Sequence, residues 1–85
     1  MKQEWLITFR SITFAQRAQR VLLAGNISCR LQRTPKRLSE RGCGYCLRLL
    51  GMDIPVAMER LRREQLPYGK LYTVGEDGSV EEQVL

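Results

Sequence analysis

The residues most able to do chemistry in this chain gather around Cys43. Gly42 and Gly44 flank it, Lys36, Arg37 and Arg41 lie just upstream, and Cys46 follows in a Cys43-Gly44-Tyr45-Cys46 pair. The thiolate is the nucleophilic form of cysteine, and nearby cations favour it over the thiol. Glycines on both sides remove side-chain bulk and permit unusual backbone angles, so a second molecule can approach the sulfur. Nucleophile, access and positive field are therefore supplied together, as group transfer at sulfur requires. The plainer reading, a small residue in a glycine turn beside solvated cations, fits the same residues and stays open.

Other chemistries are weaker here. In redox-active Cys-x-x-Cys pairs the motif opens a helix whose N-terminus stabilises the thiolate, whereas the residues after Cys46 read as a strand. That lowers the case for dithiol redox. A structural zinc site needs four ligands, and the chain has no histidine and three cysteines in all. No metal or other cofactor is expected within one chain, although two chains could share four thiolates. The third cysteine, Cys29, falls on the inward register of a predicted strand and reads as a buried structural thiol. The lack of histidine also removes Ser-His and Cys-His pairs, and the acids show no paired arrangement for acid and base catalysis. Whether the chain is an enzyme at all stays open at this point.

The chain holding these residues has 85 residues, 44% of them hydrophobic and 27% charged. That composition excludes a disordered or low-complexity chain and suits one small domain. No apolar run approaches the length of a membrane span, and no export signal is readable in MKQEWLITF. With unpaired cysteines this points to the cytoplasm. The net charge of +5 hides an asymmetry, because all 14 Lys and Arg precede residue 71 while Glu76, Asp77, Glu81 and Glu82 crowd the end. Residues 1–75 read as a single domain and 76–85 as an acidic tail.

The periodicities describe the scaffold. Trp5 to Phe9 reads as a strand with Trp5, Ile7 and Phe9 inward. A helix follows, capped by Ser11 or Thr13, with Phe14, Ala18, Val21 and Leu22 on one stripe and Gly25 placed to end it in the left-handed conformation. Ile27 to Arg33 alternates as a half-buried strand, and Cys46 to Leu50 as a third. Asp53 caps a second helix with Ile54, Ala57, Met58 and Leu61 inward, which Pro67 stops. Lys70 to Val74 is the last strand. The order βαββαβ predicts an α+β fold of the ferredoxin-like, split βαβ type, with two helices on one face of a four-stranded antiparallel sheet. The free face would carry Thr8, Arg10, Arg30, Gln32, Cys46 and Arg48, with Trp5, Phe9 and Tyr72 inward. Without aromatics among its cations that face disfavours nucleic-acid binding. It could instead serve a non-catalytic interaction or regulatory module, the alternative to chemistry at Cys43.

Between the second and third strands, residues 34–45 form a connection far longer than a hairpin needs, and loops of that length tend to be functional. The run Leu6-Ile7-Thr8-Phe9, then Ser11, Thr13 and Ala15, Pro35-Lys36-Arg37-Leu38-Ser39, Cys43-Gly44 and Leu47-Arg48 resembles the small family of selenium or sulfur carrier-like domains. These are stand-alone bacterial proteins of similar size or modules fused behind a small sulfur-relay domain. The resemblance extends to about Val74 and is most specific in the series Pro35, Ser39 and Cys43-Gly44. It implies a cysteine, here Cys43, that carries sulfur or selenium as a persulfide or selenosulfide, with Pro35, Ser39 and Gly44 shaping the loop. Lys36, Arg37 and Arg41 would favour its thiolate, and Gly42 would keep the approach open. The family's pattern does not require a second cysteine at Cys46, which would be auxiliary, releasing cargo by forming a disulfide with Cys43. Implied partners are a donor, such as a cysteine desulfurase or sulfur-relay protein, and an acceptor protein, with homo-oligomerisation left open.

Overall fold

The computed structural model describes residues 3–38 and 44–84, Arg37 by its backbone. Its elements are β1 (Glu4–Phe9), α1 (Ile12–Ala24), β2 (Arg30–Arg33), β3 (Tyr45–Leu50), α2 (Ile54–Arg63), β4 (Leu71–Val74) and β5 (Val80–Gln83). Single 3-10 turns occupy Lys36–Leu38 and Gly51–Asp53. The fold is α+β, and the strands form one sheet in the order β2-β3-β1-β4-β5. Every pairing is antiparallel.

The sheet has five strands, where periodicity predicts four. Val80–Gln83 contains one apolar residue and two acids, so composition placed it in a tail. Local turn chemistry decides otherwise. Gly75 N–H donates to Ser79 O at 2.7 Å, Asp77 Oδ1 accepts from Ser79 N–H at 3.0 Å, and Gly78 supplies a φ of +87°. This tight turn folds β5 back on β4, whose edge would otherwise be unpaired.

Both helices end in the same way, and not as periodicity predicts. The left-handed residue after α1 is Asn26, at φ 63°, while Gly25 sits at φ −93°. Asn26 N–H reaches Leu23 O and Ile27 N–H reaches Leu22 O at 2.9 Å, which is the Schellman pattern. After α2, Gln65 takes φ 55°, its N–H reaches Arg62 O, and Leu66 N–H reaches Leu61 O. The pattern buries Ile27 and Leu66 at 5% exposure each, sealing the helix ends with apolar side chains. Because the Ile27 amide serves α1, β2 begins later than the alternation of 27–33 suggests. Ser11 is the N-cap of α1, its Oγ accepting from Phe14 N–H at 3.2 Å. Asp53 makes no side-chain cap bond to α2.

The main core lies between the helices and one sheet face. Ile7, Phe9, Leu47, Leu49 and Leu71 of the sheet meet Ala15, Ala18 and Leu22 of α1 and Ile54, Ala57 and Leu61 of α2. A second cluster lies on the other face: Leu6, Cys46 and Tyr72, with Leu38, Val74 and Val80 against it. Tyr72 pairs with Leu6, so it belongs to this outer face and not to the inward register assigned from sequence. The alternation misleads at β4 because Leu71, Tyr72 and Thr73 are all buried, and a strand covered on both faces carries no period-2 signal.

Candidate functional site

Antiparallel pairing gathers several chain ends at one end of the sheet. β1 finishes at Phe9 opposite the start of β3 at Tyr45, and Tyr45 faces Arg33, the last residue of β2. β4 starts beside them, with Leu71 opposite Ile7. Arg10, Arg33, Gly44 and Lys70 therefore share this end, where the connection between β2 and β3 leaves and returns. Thr34 N–H donates to Gly44 O at 3.0 Å, which closes the base of the connection. On its outgoing limb Leu38 N–H donates to Pro35 O at 2.8 Å, and the Leu38 side chain packs on the outer cluster.

Of the residues singled out from sequence, Ser39, Arg41, Gly42 and Cys43 lie outside the described residues. Pro35 is half-buried and begins the 3-10 turn of the outgoing limb; Lys36 is exposed within that turn, and Arg37 is its middle residue. Gly44 abuts Cys43 on the returning limb. A Cβ built on it meets no described atom within 4 Å, so the space beside it is open. The Arg33 guanidinium lies 5.4 Å from the Tyr45 ring centroid, within range of a cation-π contact that fixes one cation beside the loop base.

Cys46 has no exposed surface. Its register puts it between Thr8 and Gln32 on the outer face. Burial pushes its thiol pKa up, partly offset by the Thr34 side chain, the Arg48 charge and the Gln32 side chain. It is thus a shielded, protonated thiol, unlike the activated thiolate a primary nucleophile requires. Thr34 is itself buried. Cys29 is half-buried against the main core, and burial raises its thiol pKa too.

The outer face is less bare than the sequence suggests. Of the six residues placed on it, Thr8 and Cys46 are buried, while Arg48 is neutralised by Glu4, to which its Nε and Nη2 donate at 3.0 and 2.7 Å. That contact, with Arg30 nearby, holds the Glu4 carboxyl below the usual range. Sequence reading missed the pairing because Glu4 and Arg48 are 44 positions apart. Among the described residues no group of three or more His, Cys, Asp or Glu is placed to hold a metal ion. No described helix is long and apolar enough to cross a membrane.

A family model described as "Putative Se/S carrier protein-like" matches residues 4–73. The match runs from the first residue of β1 into β4 and includes the whole connection with Cys43. No curated protein and no solved structure matches the chain significantly.

Proposed function

We propose that this chain, which belongs to the Se/S carrier protein-like family, carries a sulfur or selenium atom on Cys43 and passes it to an acceptor protein. The observation that carries the reading is the family match across the connection holding Pro35, Ser39 and Cys43-Gly44. Its support in the fold is the position of that connection, closed by Thr34 and Gly44 at the end of the sheet where Arg10, Arg33 and Lys70 also stand. The same reading takes strands β2-β3-β1-β4 as the ferredoxin-like split βαβ core, with β5 as an addition.

In the loading step the Cys43 thiolate attacks the outer sulfur of a donor's persulfide. The bond between the donor's two sulfurs breaks, the donor leaves as a thiolate, and Cys43 holds the sulfane atom. Electrons balance without an outside oxidant, because one S–S bond replaces another. Lys36, Arg37 and Arg41 act by favouring the thiolate. Cys46, buried as it stands, is auxiliary.

Incubation with a cysteine desulfurase and sulfur-labelled cysteine tests this. Wild type is expected to retain label that a thiol reductant removes, Cys43→Ser to retain none, and Cys46→Ser to behave as wild type. Equal labelling of wild type and Cys43→Ser would overturn it.

A further inference from the structure

At the same end of the sheet, a cavity of about 450 Å3 is lined by Arg10, Phe14, Pro67, Tyr68, Gly69 and Lys70. Its volume falls within the range of small-molecule sites, roughly 300 to 1,000 Å3. One wall is built rigidly. Thr8 is buried at 1% exposure. Its Oγ1 accepts from Lys70 N–H at 2.8 Å, its carbonyl accepts from Gly69 N–H at 2.7 Å, and its own N–H donates to Lys70 O at 3.0 Å. These bonds tie the segment carrying Tyr68 and Lys70 to the end of β1, so the cavity exists before any ligand arrives, which lowers the ordering cost of binding.

The lining is chemically selective. Tyr68 is 44% exposed and takes no part in either apolar cluster, so its ring is not explained by packing. Arg10 is exposed and forms no ion pair among the described residues. Among the described residues Lys70 has one ion pair, a long contact of 3.7 Å to Glu82, with both side chains about half exposed. The first turn of α1, which contributes Phe14, carries no acid to repel an anion. Two rings and two cations, Arg10 with no ion pair among the described residues and Lys70 held at 3.7 Å by Glu82, thus line one preformed cavity.

We infer that the cavity lined by Arg10, Phe14, Tyr68 and Lys70 binds a small planar aromatic anion, its ring on Tyr68 and its charged group between Arg10 and Lys70. This does not rest on the carrier reading, since neither cysteine chemistry nor the connection 34–45 takes part. The shared requirement is a flat ring bearing a phosphate or a carboxylate. Glu82 competes with the ligand for Lys70.

Titration of the full chain with AMP and with 4-hydroxybenzoate, followed by calorimetry, distinguishes the two anion types. Adenosine supplies the ring alone and inorganic phosphate the charge alone. At least one ring-bearing anion is expected to bind with a Kd below roughly 10 mM, at least tenfold tighter than either partial probe. Tyr68→Ala is expected to weaken it about tenfold, in line with stacking energies, while Tyr68→Phe retains binding. Arg10→Ala should also weaken it, and Glu82→Gln should strengthen it. All four substitutions are at exposed positions, and unchanged melting curves will confirm that the variants fold. Absence of binding by both anions overturns the inference. So does phosphate binding as well as AMP, or full affinity in the Arg10→Ala variant.

Discussion

At the level of single residues, Cys46 is the described member of the Cys-x-x-Cys pair. Cys46 is wholly buried, with its pKa raised by that burial. Iodoacetamide is expected to alkylate it at least tenfold more slowly in the native chain than in denaturant, as peptide mapping would show; equal rates would contradict the shielding. The pH dependence has a definite sign. A thiol whose folded pKa lies above its ordinary value of 9.0 binds its proton more tightly when folded. Stability from this source is present below that value and lost as pH rises past it, and Cys29 adds in the same direction. Cys46→Ala should flatten unfolding curves measured above pH 9.0. Glu4 behaves oppositely: its lowered pKa gives stability above the ordinary 4.5 that is lost as pH falls through the depressed value. Both side chains of the pair are well exposed, 32% and 44%, so Glu4→Gln should cost less than about 1 kcal/mol and remove that acid dependence in denaturant titrations.

At the scale of elements, the end of α2 and the packing of Gly51 against Trp5 set local stability. Gln65 holds the left-handed position after α2 without being glycine. Gln65→Gly is expected to stabilise by about 0.5 to 1 kcal/mol, because glycine adopts positive φ without steric penalty. For a domain of this size that is a rise in Tm of several degrees; a fall would contradict the cap geometry. Gly51 has the reverse logic, since a Cβ there would lie 2.8 Å from Trp5 Nε1. Gly51→Ala should cost about 1 to 3 kcal/mol as Trp5 is displaced, read as a lower denaturation midpoint. These features also mark what the sequence could and could not disclose. The stripes of both helices were legible because one face of each is buried and one is not, while β1 and β3 were legible from their β-branched, aromatic and leucine-rich composition, although apolar residues are buried on both of their faces. Asn26 and Gln65 were not, because a capping residue is chosen by where the chain must turn, and Gly25 offered a more conventional candidate. The hairpin to β5 escaped notice because its pairing relies on turn geometry and a partner edge, neither of which acid-rich V-E-E-Q advertises.

Across the whole molecule, charge and topology converge. The sequence is strongly basic before residue 71 and acidic after it, and the fold returns the acidic segment to the sheet as β5, placing Glu82 beside Lys70. The other cations at that end, Arg10 and Arg33, stand near the base of the connection that holds Cys43. The glycine-flanked cysteine was legible as a candidate from residue types alone, whereas the cations at the base of its connection were not, because Arg10, Arg33 and Lys70 come from three separate strand ends. The proposed carrier role also needs a scaffold whose other thiols do not compete with Cys43, and burial of Cys46 and partial burial of Cys29 suit it. The central claim is that Cys43 alone holds the transferable atom. It is tested most directly by site-resolved mass spectrometry after loading from a persulfide donor. An adduct of about +32, one sulfur atom, is expected on the Cys43 peptide, removable by thiols and absent from Cys43→Ser. An adduct found on Cys46 or Cys29 instead, or none on any cysteine, would contradict it.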